Sequence, residues 1–187
     1  MSLPFINATE RLARKRSIKA GVAGVPGIGK TSLIWTLPHE STLHVEIEDG
    51  DLSIAKWPGE VYRPQTWDQF RDLVVAIAGP SPTASAGQPY TEVHYKRVCQ
   101  EIGDPGRMAR YQYVVFDSLS ALSRLCLQWA KAQPQATTEK GRPDMRAAYG
   151  LLANEMVNAI SVLQHVQDKH LIYIVILNEK VDDKGVK

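Results

Sequence analysis

The stretch from Gly24 to Thr31 constrains this chain most, because it fits the phosphate-binding pattern G-x-x-x-x-G-K-[ST]. Glycines let the backbone curl so that several N–H groups point inward at phosphate oxygens. The segment reads Gly24, Val25, Pro26, Gly27, Ile28, Gly29, Lys30 and Thr31, followed by Ser32. All nine positions are predicted to bind nucleotide phosphates, with Lys30 reaching the β- and γ-phosphates and the Thr31 hydroxyl holding Mg²⁺. The alternative, a glycine-rich structural turn, is disfavoured by the apolar strand predicted before it and the helical pattern after it.

Apolar runs alternate with helical patterns along the chain. The predicted strands cover residues 18–23, 43–47, 61–63, 113–116 and 171–177. The predicted helices cover residues 30–37, 67–78, 90–102, 119–131 and 145–167. Residues 1–17 are predicted to be a helical lead-in, and the low-complexity segment 79–89 is expected to be a mobile loop. This order predicts a single α/β domain over residues 1–187, with a mostly parallel sheet sandwiched by helices.

Composition excludes several other classes of protein. The net charge of +2 creates no global field for nucleic acid, although it leaves room for a local basic strip. The two cysteines, Cys99 and Cys126, lie in no ligand cluster, so a zinc site is not expected. No apolar run approaches eighteen residues and no signal sequence is evident, so we expect a cytoplasmic protein without a membrane span.

Acidic residues at predicted strand ends supply the remaining chemistry. The apolar run 113–116 ends in Asp117, which suits a carboxylate on the Mg²⁺ side of the phosphates; its alternative role is to cap the next helix. Because Ser118 follows instead of an acid, a general base must come from elsewhere. Glu48, just after the strand at 43–47, is the leading candidate, with Glu46 in reserve, since ligands bind at the carboxyl ends of parallel strands. A solvated acidic turn is the alternative interpretation of both.

Asn178 ends the last predicted strand. The same rule for parallel sheets points its side chain toward the phosphates, where it could act as a polar sensor of the γ-phosphate or the attacking water. Its alternative role is in capping or a turn.

Several segments together resemble the RecA-like P-loop ATPases, and within them a phage and prophage family related to phage single-strand annealing ATPases. The segments are 24–32, 44–48, 114–122, 124–134, 148–152 and 177–180. The resemblance implies that Lys30 and Thr31 bind ATP and Mg²⁺, that Asp117 is the metal-side carboxylate and that Glu48 is the catalytic glutamate. It also places Asn178 near the family's polar sensor.

The resemblance further implies single-stranded DNA as a partner, held by two loops at about 133–146 and from residue 179 onward. Self-association, or contact with phage replication and recombination proteins, is implied in the same way. Four arginines are candidates for a positive side chain lent to a neighbouring site: Arg107, Arg110, Arg124 and Arg142. The family core continues with further strands, so its C-terminal part is expected to lie beyond Lys187.

The leading functional hypothesis is therefore an ATP-binding and ATP-hydrolysing protein acting in DNA recombination or annealing. One alternative is a non-catalytic module whose interactions are gated by ATP and ADP. Another is a P-loop small-molecule kinase, which is disfavoured because its lid needs arginines and the loop 79–89 contains none. ATP is preferred to GTP only because no guanine-recognition motif of the N-K-x-D type is present.

Overall fold

The computed structural model describes residues 6–13, 17–48, 51–103 and 105–177. The strands are β1 (Lys19–Gly24), β2 (Thr42–Glu46), β3 (Glu60–Tyr62), β4 (Tyr113–Asp117) and β5 (His170–Ile176). The α-helices are α1 (Ala8–Ala13), α2 (Trp67–Ala78), α3 (Glu92–Ile102), α4 (Leu119–Lys131) and α5 (Met145–Gln164). The five strands form one sheet in the order β1-β5-β4-β2-β3, and every pairing is parallel. The predicted α/β class with a parallel sheet is confirmed.

Strand β5 lies between β1 and β4, as its continuous apolar sequence predicts. Its register pairs Ile174 with Val22 of β1 and Ile172 with Val115 of β4. One strand, β5, therefore separates β1 from β4. Strand β1 leads into the segment Gly24 to Thr31, called the glycine loop below, and β4 ends in Asp117. The carboxyl ends of β1 and β4 lie at the same edge of the sheet.

One face of the sheet carries the main hydrophobic core. Helices α2 to α5 all contribute to a cluster that contains twenty buried residues of the described part of the chain. At its centre Phe116 stacks on Tyr173 with ring centroids 5.1 Å apart, and Phe70 packs edge-on against Phe116 at 6.0 Å. Burial raises the pKa of Tyr173 to about 12, so its phenol stays protonated at neutral pH.

Among the residues that the structure describes, the opposite face has a much smaller core of five buried residues. They are Ile34, Ile54, Trp57, Val115 and Ile174, and none of them lies in an α-helix. Alternation along β2 and β4 places His44, Glu46, Val115 and Asp117 on this face, because successive side chains of a strand point to opposite sides. The thinly covered face therefore carries the polar residues at the strand ends.

The predicted helix 30–37 is wrong in type, because the segment Thr31–Thr36 is a short 3₁₀ helix. The residue before a proline is pushed toward extended geometry, and Leu37 before Pro38 has φ −101° and ψ 148°. The β-branched residues Thr31, Ile34 and Thr36 also weaken the α-helical preference.

Other boundaries differ from the prediction by only a few residues. The helix predicted from residue 90 begins at Glu92, because the Thr91 side chain accepts a hydrogen bond from the backbone N–H of His94 and caps it. In the 79–89 loop, the Ser81 N–H donates to the carbonyl of Tyr90 at 2.7 Å; its mobility stays a prediction. Within the part of the chain that the structure describes, no helix combines the length and apolar character needed to cross a bilayer.

Candidate functional site

The glycine loop after β1 has the backbone geometry of a tight phosphate-binding turn. Gly27 and Gly29 have φ values of 79° and 92°, a region that residues with a Cβ rarely adopt. The Lys30 ammonium donates hydrogen bonds to the carbonyl oxygens of Gly24 at 2.9 Å and Val25 at 2.8 Å. Lys30 is thus folded over its own loop, with its ammonium held by two backbone carbonyls.

The structure brings the loop and the end of β4 into direct contact. The Thr31 hydroxyl donates a hydrogen bond to Oδ2 of Asp117 at 2.5 Å, across 86 residues of sequence. A hydroxyl and a carboxylate oxygen are ligands that suit Mg²⁺, which usually takes one or two protein oxygens and keeps several waters. The two residues predicted to hold the metal therefore fit that ion.

Ser118, the residue after Asp117, provides the cap of α4. Its hydroxyl accepts a hydrogen bond from the backbone N–H of Ala121 at 3.2 Å. The capping role considered for Asp117 is consequently filled by its neighbour, and Asp117 turns to Thr31 instead. Two successive residues thus have different partners: Ser118 caps α4, and Asp117 contacts the loop that follows β1.

The two candidate glutamates are each paired with an arginine. Glu46 lies opposite Asp117 in the parallel register, is 5% exposed and accepts a 2.5 Å hydrogen bond from Nε of Arg63. Its other oxygen, Oε1, is buried without a hydrogen-bond partner among the described residues. Glu48 accepts a hydrogen bond from Arg124 at 2.6 Å and another from the Ser118 hydroxyl at 3.3 Å. A simple solvated turn does not describe either residue.

His44 lies beside the candidate site, and sequence reasoning assigned it no role. It is 1% exposed, and its Nε2 lies 3.8 Å from Oδ2 of Asp117, beyond hydrogen-bond distance. Neither ring nitrogen has a hydrogen-bond partner among the described residues, and the ring packs edge-on against Trp57. The available signal was its place two residues before Glu46, on the same face of β2.

The four candidate arginines are not equivalent in the structure. Arg107 and Arg110 both pair with Glu60, at the start of β3 and the opposite end of the strands from Asp117. Arg124 is the one that contacts a candidate site carboxylate, among the contacts described for these four side chains. Asn178, the predicted sensor, lies outside the described residues.

The thiol of Cys126 is poorly suited to act as a nucleophile at neutral pH. Cys126 is buried in the main core, and burial raises the pKa of its thiol to about 12. The thiolate form that acts as a nucleophile or metal ligand is therefore scarce at neutral pH.

Comparison with known proteins gives one family. The family model described as AAA domain matches residues 16–187. The matched range begins just before β1 and includes the glycine loop, both glutamates and Asp117. No curated protein has significant sequence similarity to the chain.

Proposed function

Because the chain belongs to the AAA domain family, whose members are P-loop ATPase-like proteins, we propose that it binds Mg²⁺–ATP and hydrolyses it to ADP and phosphate. The observation that carries the proposal is the contact between Thr31 and Asp117. It joins the phosphate loop to a carboxylate at a strand end, which is the arrangement that a Mg²⁺-bound triphosphate requires.

Each proposed residue has a defined task. The loop from Gly24 to Ser32 positions the triphosphate, and Lys30 leaves its carbonyl partners to neutralise charge on the β- and γ-phosphates. Thr31 and Asp117 would hold Mg²⁺, which would supply further charge stabilisation. Glu48 accepts a proton from the attacking water, provided that its carboxylate is released from Arg124.

Phosphate release from ATP by the purified protein tests this proposal. Wild type is expected to exceed Lys30→Ala by about 100-fold or more, since losing one charge-stabilising group costs a factor of about 10²–10³. Glu48→Gln is expected to lower turnover by about 10²-fold while ATP still binds. Glu101→Gln is the matched control, because Glu101 is an exposed carboxylate paired with Arg97 on α3. Equal phosphate release from wild type and Lys30→Ala would exclude hydrolysis.

We further propose that this ATPase acts in phage DNA recombination or single-strand annealing, with single-stranded DNA as its partner. This part is supported by the resemblance described above and not by the family match. Binding of labelled single-stranded DNA across a salt series, with and without ATP, is its direct test, because phosphate contacts give a steep salt dependence. No detectable binding at low salt would leave the ATPase proposal without its DNA role.

A non-catalytic, nucleotide-gated module is the second candidate. It is favoured by one observation: Oε1 of Glu48 accepts hydrogen bonds from both Arg124 and Ser118, so the charge of this carboxylate is partly neutralised in this conformation. If ATP binds tightly to wild type and phosphate release is absent, this candidate replaces the ATPase.

A further inference from the structure

A small polar cleft lies beside the carboxyl ends of β2 and β4. Its volume is about 240 Å³, and its polar lining is supplied by two ion pairs and two amides. These residues are Glu46, Glu48, Arg63, Arg124, Gln65 and Gln128. The cleft adjoins the proposed base, Glu48, but contains no residue of the glycine loop in its lining, so the triphosphate does not account for it.

The two ion pairs differ in how easily they can be broken. Glu46 is 5% exposed, and removing Arg63 would leave a buried carboxylate without its partner, which is strongly unfavourable. Arg124 and Glu48 have side chains that are 65% and 33% exposed. Solvent-exposed pairs contribute little to stability, so Arg124 can exchange Glu48 for another anion at small cost.

We propose that this cleft binds a phosphate group of a second ligand through Arg124, and that this binding releases Glu48 for catalysis. A guanidinium group matches the oxygens of a phosphate with two parallel hydrogen bonds. The cleft is smaller than the ~300–1,000 Å³ typical of sites for whole small molecules, so it suits one group rather than a complete ligand. The phosphate can come from a phosphodiester of single-stranded nucleic acid or from free inorganic phosphate.

The coupling rests on the ATPase activity proposed above. Arg124 contacts Glu48 directly, and Glu48 also accepts a hydrogen bond from Ser118, which follows the metal-side Asp117. An anion that draws Arg124 away therefore changes the partner of the base without disturbing Thr31 or Asp117. Hydrolysis is slow while Arg124 holds Glu48 and faster once the cleft is filled.

The test measures ADP formation by the full chain at saturating Mg²⁺–ATP. The additions are a fluorescein-labelled oligothymidylate, inorganic phosphate and polyglutamate, each in separate reactions. Anisotropy of the oligothymidylate without nucleotide reports binding independently of turnover. The variants are Arg124→Gln and Arg97→Gln, because Arg97 is also an exposed arginine paired with carboxylates, 49% exposed on α3. Thermal unfolding verifies that both variants fold.

ADP formation by wild type and by Arg97→Gln is expected to rise when oligothymidylate or inorganic phosphate is added. The addition that raises ADP formation identifies the source of the phosphate. Arg124→Gln is expected to show basal turnover raised about two- to fivefold, the factor that corresponds to a surface ion pair, and no response. The proposal is overturned if Arg124→Gln has lower basal turnover and still responds, or if wild type responds only to polyglutamate or to none of the additions.

Failure of the ATPase proposal would be visible separately. In that case wild type forms no more ADP than Lys30→Ala under any condition. The cleft is then judged by anisotropy alone: weaker oligothymidylate binding by Arg124→Gln than by Arg97→Gln supports it, and equal binding overturns it.

Discussion

The two faces of the sheet differ in what they carry: one carries most of the buried core, and the other carries the candidate site. One face is covered by α2 to α5 over twenty buried residues, while the other packs five buried residues under short 3₁₀ and turn segments. The thin face carries Thr31, His44, Glu46 and Asp117. A well-packed face can hold the strand ends in place, which lets the opposite face keep buried polar groups that a core would not tolerate.

Neighbouring residues of β4 show this division at its sharpest. Phe116 is fully buried in the aromatic stack, and Asp117, the next residue, points to the other face and meets Thr31. Because successive side chains of a strand alternate, one backbone position separates a packing role from the proposed metal role. Substitutions on one face should therefore mainly change stability, and substitutions on the other should mainly change ATP turnover. Four predictions test this, from the largest expected effect to the smallest.

Phe116→Ala is expected to lower the free energy of unfolding by about 3–5 kcal/mol, because it removes a fully buried ring from the face covered by α2 to α5. Urea denaturation measures the loss, and Phe116→Leu, which keeps most of the volume, should cost much less. A loss below about 1 kcal/mol for Phe116→Ala would show that this face does not carry most of the stability.

Asp117→Asn is expected to reduce ATP turnover by about 100-fold or more with little change in stability. The amide oxygen can still accept the hydrogen bond from Thr31, but the negative charge for Mg²⁺ is lost. Phosphate release and urea denaturation, measured on the same samples, separate the two effects. Asp68→Asn is the control, since Asp68 is an exposed carboxylate paired with Arg71. Equal activity of the two variants would contradict the metal role.

Gly59→Ala is expected to destabilise the thin face by about 1–3 kcal/mol. A Cβ at this position would lie 2.0 Å from Cη2 of Trp57, so the indole ring that packs against His44 must move. Thermal unfolding, together with tryptophan fluorescence, measures the change. Gly150→Ala in α5 is the opposite case: its Cβ meets no atom within 4 Å, and we expect stability to rise by ~0.5–1 kcal/mol.

His44→Leu is expected to leave the free energy of unfolding unchanged or raised by up to about 1 kcal/mol, because it removes two buried nitrogens that lack partners among the described residues. The same change should also raise the Mg²⁺ concentration for half-maximal turnover, because it removes an imidazole that lies 3.8 Å from the proposed metal-side carboxylate of Asp117. A Mg²⁺ titration measures this, with the exposed His165→Leu as control. An unchanged Mg²⁺ requirement would make His44 a packing residue only.

Much of this architecture could be predicted from local pattern. The apolar run at 171–177 predicted the strand β5, and the glycine spacing predicted a tightly curled loop, where Gly27 and Gly29 have positive φ. The type of the helix after the loop was predicted wrongly. The spacing of its apolar residues favours an α-helix, whereas Pro38 restricts Leu37 to extended geometry, and packing decides between the two preferences. His44 was missed because its significance depends on a neighbour 73 positions away in β4.

The sequence by itself predicted a glycine-rich loop of the phosphate-binding pattern between a strand and a helix, with acidic residues at the ends of two other strands. Only the tertiary structure decided which of those acids meet the loop and which are paired. Asp117 contacts Thr31, Glu46 is paired with Arg63, and Glu48 is paired with Arg124. The physical reason is that backbone preferences act over a few residues, whereas ion pairs and hydrogen bonds depend on side-chain positions set by strand order, register and helix packing.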